Sequence, residues 1–308
     1  MGAAAHPFIE CVQRMDLIPP DIKLLVIDID GTLLTPERKI TERTRAAIHA
    51  AQAEGIVVTL ATGRRYTNTA PIADALGLSI PLILCDGALI LQHPQATILH
   101  TQSLTASVAN EVVHILARYG IQPVVHHLNG RGEEIWTGPE SFDTPWLSEY
   151  LATFPDQITR FPLSELCQGK PDPLRVVAFA PEEAIYTLAP EISALACSWN
   201  SIKQGNYGSA EMAIMHPYCS KASGVAWMAR SLGIAMSEVM AIGDNNNDIE
   251  MLEAVGWGVA MGQASEAVKS IARAVTTRNT EDGVALAIER YALRRAASAD
   301  SNSFRRAI

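Results

Sequence analysis

The chain of 308 residues exceeds what one hydrophobic core usually serves, so one large domain or two modest ones are expected. With 48% hydrophobic and 19% charged residues it has the make-up of an ordinary globular protein, and a formal charge of −9 with a pI near 5.4 argues against a surface built for nucleic acid. Five cysteines without a CxxC pair support neither a zinc knuckle nor a disulfide framework, no basic n-region precedes an apolar leader, and no apolar run approaches the ~18 residues of a membrane span, so a cytoplasmic protein without membrane or nucleic-acid partners is expected.

Residues 1–20 read as an N-terminal extension. From Ile22 to Ile29, "IKLLVIDI" is an apolar strand bounded by "PP" and "DGT". In "TERTRAAIHAAQAEG", Thr41 suits a helix N-cap, Ala47, Ile48 and Ala51 share a face, and Gly55 is a stop. "IVVTLATGR" is a second strand that ends in a polar turn at Thr62 and Gly63. A helix to Leu76 and a third strand, "PLILC", follow. Continuous apolar strands alternating with helices predict an α/β fold with a Rossmann-like parallel sheet covered on both faces. The same rhythm returns after Met215 in "SGVAWMARSLG", "EVMAIGD", "NDIEMLEAVG", "WGVAM", "SEAVKSIARA" and "DGVALAIERYALRRA". Between Leu89 and Met215, strands such as "QPVVHHL", "EEIWTG" and "LRVVAFA" alternate with polar turns and two helical stretches. The predicted organisation is therefore a core of residues 21–88 and 216–292 split by an inserted α+β domain, 89–215, with a flexible tail at 293–308.

Three strand ends finish in polar residues: Asp28 and Asp30, Thr62 and Gly63, Gly243 and Asp244. In open parallel sheets ligands bind outside those ends. An ionised carboxylate is costly in a dry sheet, so the two acids need either a turn reached by water or a cation. Asp-Gly is also a favoured turn pair, which alone would account for "DIDGT". In "GDNNNDIEML", Asp244 and Asp248 are placed to face the sheet edge together, and such oxygen ligands suit Mg²⁺. A calcium loop is excluded by Ile249 and Val255 at positions that need Gly and Glu. N-capping explains one acid there but not the cluster. Lys221 would ordinarily be a surface lysine and gains interest from preceding a helix of the returning core. His126 and His127 are adjacent on a strand and point to opposite faces, so they are not a chelating pair.

Taken in order, "DIDGTL", "ATGR", a lysine and "GDNNNDIEML" resemble the haloacid dehalogenase (HAD) superfamily of phosphohydrolases, and the stretch from Gly243 is similar to its Cof-type branch with a class IIB cap. The likeness covers roughly residues 22–88 and 211–292. The resemblance implies that Asp28 is the nucleophile and Asp30 the acid and then the base. It further implies that Thr62 and the Gly63 amide hold phosphoryl oxygens, with Lys221 and Asn247 neutralising or binding them. Mg²⁺ would lie among Asp28, the Asp30 carbonyl, Asp244 and Asp248. Two departures stand out: "CDGA" from Cys85 to Ala88 lacks the usual Asn before Gly-Ala, and Ala222 replaces the usual Gly after Lys221. The first is expected to blur the hinge into the cap, and neither is expected to touch the chemistry.

The expectation is a Mg²⁺-dependent phosphatase of small phosphorylated metabolites, such as sugar phosphates or phosphorylated cofactors, working through an aspartyl-phosphate. A phosphosugar phosphomutase and a non-catalytic metabolite-binding protein are the alternatives. A pump of the P-type is disfavoured because Asp30 stands where those have Thr. The substrate, the cap residues that select it and the oligomeric state are not legible.

Overall fold

The computed structural model describes residues 19–129, 132–154, 157–202 and 207–294. Most of the N-terminal extension and of the tail, residues 1–18 and 295–308, lies outside the described residues. The first half of the core runs β1 (Leu24–Ile27), α1 (Glu42–Ala53), β2 (Val57–Leu60), α2 (Tyr66–Ala75) and β3 (Pro81–Leu84). Thr41 caps α1 as predicted, its hydroxyl accepting from the Thr44 amide at 3.1 Å. Next come β4 (Leu89–Gln92) and β5 (Thr97–Thr101), then α3 (Ala106–Arg118), β6 (Val124–Asn129) and β7 (Gly132–Thr137). The middle block continues with α4 (Pro145–Leu151), β8 (Ile158–Arg160), β9 (Arg175–Ala180), α5 (Glu182–Ser193), β10 (Ser198–Ile202) and β11 (Ala210–Met215). The core resumes with α6 (Lys221–Ser231), β12 (Val239–Gly243), α7 (Ile249–Ala254), β13 (Trp257–Ala260), α8 (Glu266–Ile271), β14 (Ala274–Val275) and α9 (Gly283–Ala287).

The core sheet is parallel, in the order β14-β13-β12-β1-β2, and a bridge between Ala61 and Ile83 ties β3 to its edge. Because successive side chains of a strand point to opposite faces, Leu25 and Ile27 of β1 pack with Ala47, Ile48 and Ile288 on one side. Leu24 and Val26 pack with Val225, Met228 and Val268 on the other. Burial on both faces explains why the strand reads as an unbroken apolar run, and truncating Leu24 or Leu25 to Ala should cost about 2–5 kcal/mol.

The inserted domain is built on a six-stranded sheet, β10-β11-β9-β6-β7-β8, antiparallel except between β7 and β8. Helices α3 and α5 cover one face through Val112, Leu116, Leu188 and Ile192. On the other face α4 covers Val177 and Phe179 with Leu147 and Tyr150, and the remainder is turned toward the core. His126 and His127 diverge as expected: His126 Nε2 bonds the Tyr150 hydroxyl at 2.9 Å, and the His127 ring lies tilted against Trp136 with ring centroids 3.7 Å apart.

The pairing of β4 and β5 bears on the boundary expected at residue 88. Both strands belong to an antiparallel sheet with β3, with Ile83 opposite Ile90 and Ile90 opposite His100. The hairpin thus extends the core side. We propose that the chain crosses into the cap at 102–104, where the Gln102 amide still bonds the Ala88 carbonyl and the Leu104 amide already bonds Pro173.

Candidate active site

Register brings the site together. In β1, Ile27 lies opposite both Ile242 of β12 and Leu60 of β2, so Asp28, Asp244 and Thr62 leave the sheet at nearly one level. After β1 the chain makes a wide turn in which the Leu33 amide bonds the Asp28 carbonyl at 3.1 Å. Gly31 in that turn has φ +80°, and a Cβ there would lie 2.4 Å from Asp244 Oδ2. Turn and site are one object: the conformation that only glycine adopts easily is what admits Asp244.

The carboxylate oxygens of Asp28, Asp244 and Asp248 lie within 4.8 Å of one another. Lys221 is buried against them, its ammonium donating to Asp28 Oδ1 and Asp248 Oδ1, each at 2.6 Å. It is the first residue of α6, which Ser220 and Ser223 cap reciprocally. Gly87, at φ +96°, lets the chain pass where a Cβ would strike the Ser220 carbonyl at 2.2 Å. Asp248 also caps the loop, its Oδ2 accepting from the amides of Asp244 and Asn245 at 3.0 Å. Thr32 donates to Asp244 Oδ1 at 2.7 Å. Burial pushes the Asp28 carboxyl well above its ordinary value, Asp248 adds to this and Lys221 opposes it. Burial and Asp248 raise Asp244 to about 6. For Lys221 burial works against the ammonium, but Asp248 and Asp28 more than offset it and hold the lysine charged. Three acids against one lysine leave excess negative charge that a cation would neutralise, and an all-oxygen donor set fits a hard divalent ion.

Asp30 points elsewhere. Its carboxylate is held by Arg64 in a two-point pair, Nε to Oδ2 at 2.7 Å and Nη2 to Oδ1 at 2.6 Å, with the Asp30 side chain 40% exposed. A share for Asp30 in metal binding therefore rests on its main-chain carbonyl. Thr62 is buried, and its hydroxyl accepts from the Arg64 amide at 3.1 Å, which leaves the hydroxyl hydrogen to donate. Asn247 donates one N–H to Asp86 Oδ1 at 3.0 Å.

Asp86 is the residue that the sequence reading left out of the chemistry. It is 3% exposed, adopts φ +54°, and its Oδ2 would stand 3.0 Å from a Cβ at Gly63. It also faces Arg175 of β9 at 3.5 Å. Arg65, beside the Thr62 turn, pairs reciprocally with the cap, 3.6 Å from Glu133 and over the Phe154 ring at 3.0 Å. Spacing gave no sign of these two contacts, because each joins residues far apart in sequence.

Core and cap enclose a cleft of about 1020 Å³ whose lining includes Asp28, Asp30, Thr62, Asp244 and Asn247 from the core. The cap contributes Tyr150, Arg175, Asn200, Tyr207 and Glu211.

The profile of haloacid dehalogenase-like hydrolases matches residues 25–288. The chain belongs to this family. It is 32% identical over 292 residues to the 5-amino-6-(5-phospho-D-ribitylamino)uracil phosphatase YcsE of Bacillus subtilis (strain 168), covering 92% of this chain and 99% of that one. The pyridoxal phosphate phosphatase YbhA of Escherichia coli (strain K12) is 28% identical over 274 residues, 85% of this chain and 96% of the other. Among solved structures, a HAD superfamily phosphatase from Bacteroides thetaiotaomicron superposes with TM-score 0.71 at 25% identity, covering 90% of this chain and 98% of that chain. A HAD subclass IIB sugar phosphatase gives TM-score 0.72 at 25% identity, with 87% and 98% covered. The HAD fold, a parallel-sheet core with an inserted cap, is thus established, and the chain is a HAD-type hydrolase whose acidic triad can hold a metal ion. Among the described residues no helix is long and apolar enough to cross a membrane.

Proposed function

We propose that this HAD-type hydrolase is a Mg²⁺-dependent phosphatase of small phosphorylated metabolites, sugar phosphates or phosphorylated cofactors, acting through an aspartyl-phosphate on Asp28. The observation that carries the reading is the convergence of Asp28, Lys221, Asp244 and Asp248 at the floor of a cleft closed by the cap. The relatives named for a phosphoribityl compound and for pyridoxal phosphate support the substrate class.

An Asp28 oxygen attacks phosphorus, the bond to the leaving oxygen breaks, and Asp30 supplies the proton that oxygen needs. Water then attacks the same phosphorus as Asp30 takes its proton, and Asp28 is released with inorganic phosphate. Such transfers depend chiefly on positioning and charge neutralisation. Lys221 provides a fixed positive charge, the Thr62 hydroxyl and Gly63 amide hold phosphoryl oxygens, and Asn247 offers its second N–H. Asp28, the Asp30 carbonyl, Asp244 and Asp248 would hold Mg²⁺, which when bound would supply the further positive charge that lets a carboxylate approach a phosphate dianion. For Asp30 to reach the leaving oxygen it must exchange its Arg64 contacts for substrate. Phosphate release from a panel of esters should require Mg²⁺, stop in EDTA and return on adding Mg²⁺. Full activity in excess EDTA would sink the metal assignment.

A further inference from the structure

The wall opposite the catalytic acids is made by the β10–β11 end of the cap sheet, where β10 lies against the Asn246–Asp248 turn. Alternation sorts its residues. Met212 and Ile214 enter the core beneath α3 and α5, whereas Asn200, Ile202, Glu211 and Ala213 line the cleft, with Ile202 opposite Glu211 and Asn200 opposite Ala213. Whatever lies beyond the phosphoryl group of a substrate must pass along this face.

Its charges are arranged against a second anion. Among the described residues, each arginine of the inner cleft faces an acid of its own: Arg65 faces Glu133, Arg175 faces Asp86, and Arg64 holds Asp30 until that acid turns to the leaving oxygen. Arg38 is exposed at the rim, and Glu149 at the mouth adds negative charge. Glu211 is half-buried on the wall, and among the described residues no hydrogen bond reaches its carboxylate. A half-buried acceptor of this kind is costly alone and is satisfied when a ligand donates to it.

We propose that Glu211, with Asn200 beside it, selects phosphate monoesters whose leaving group is neutral and carries hydroxyl or N–H donors, and excludes those with a second anionic group. This rests on the phosphatase reading above. Burial raises the Glu211 carboxyl to about 7 despite Arg175, in keeping with a group that lacks a donor until substrate arrives.

The test uses D-ribitol 5-phosphate and 5-phospho-D-ribonate, which differ only in a hydroxymethyl against a carboxylate. Both are measured at about pH 8, above the range in which Glu211 titrates, as competitors of 4-nitrophenyl phosphate hydrolysis with Mg²⁺. The unaltered enzyme should bind the ribitol ester at least tenfold more tightly. Glu211→Gln should cut that preference fivefold or more, and Glu211→Asp, which keeps the charge, should still reject the ribonate. A wild-type preference below tenfold, a change below fivefold in the Gln variant, or acceptance of the ribonate by Glu211→Asp overturns the proposal. The wild-type preference tests it even if a variant fails to fold. Absence of any 4-nitrophenyl phosphate hydrolysis would instead count against the phosphatase reading itself.

Discussion

Lys221 is nearly unexposed between Asp28 and Asp248, so its removal leaves these acids without the ammonium that bridges them. Breaking a buried pair from one side typically costs about 3–5 kcal/mol. Lys221→Met should therefore lose stability of that order in EDTA and recover part of it in Mg²⁺. Urea denaturation in the two buffers measures this, and an identical loss in both would remove the metal from the picture. Asp28→Asn should do the reverse: it relieves a carboxyl that burial and Asp248 already disfavour, so metal-free stability should hold or rise while turnover falls to background. Asp30→Asn should retain phosphoryl transfer from 4-nitrophenyl phosphate, whose leaving group needs little protonation. It loses the base for hydrolysis, a term of about 10²- to 10⁴-fold, and should accumulate a phosphate adduct visible by mass spectrometry. An adduct on the Asp28→Asn chain would reverse these roles. Asp28 and Asp244 were readable because each follows an apolar strand directly, and Asp248 because it stands four residues after Asp244 at the start of a helical stretch. Asp86 was not, since its meaning comes from Arg175 on a cap strand and from Asn247 on the returning core.

Among the elements, β11 carries the clearest pH dependence. An unfolded Glu titrates near 4.3, and in the fold burial moves Glu211 to about 7 with Arg175, Asp86 and Asp30 facing it. The native state thus holds its proton more tightly. The contribution of this group to stability is full below about pH 4.3 and is lost as pH rises through 7. Glu211→Gln removes that loss, so its melting temperature should gain on the unaltered protein as pH goes from 4.5 to 7 and then stay level. Parallel melting curves across that interval would contradict the burial of this carboxylate. The strands of the core were legible as elements, because burial on both faces writes a continuous apolar run. The partners of β4 and β5 were not, as "LIL" in β4 suits either sheet. Helix α4 escaped notice at seven residues, too short to display a helical period beyond the Thr144 cap and Pro145.

Over the whole molecule, two buried ion pairs of opposite direction join core and cap: Arg65 of the core to Glu133 of the cap, and Asp86 of the core to Arg175 of the cap. Asp86→Asn leaves Arg175 buried without its counter-charge, and Arg175→Met leaves Asp86 likewise, so each should destabilise the closed form by a few kcal/mol. The double variant should be milder than the sum by about 0.5–3 kcal/mol, the coupling expected of residues in contact. Strict additivity in a chemical denaturation cycle would mean that the pair does not hold the domains together. The crossed polarity reaches further than stability. A chimaera that exchanged residues 104–215 for the cap of a relative would carry every phosphoryl-binding group on the retained core. It would nonetheless seat only if the graft presented an acid to Arg65 and a base to Asp86. The two contacts thus work as a lock with a fixed handedness of charge. They limit which caps this core can borrow, and through them which leaving groups its chemistry can be lent to.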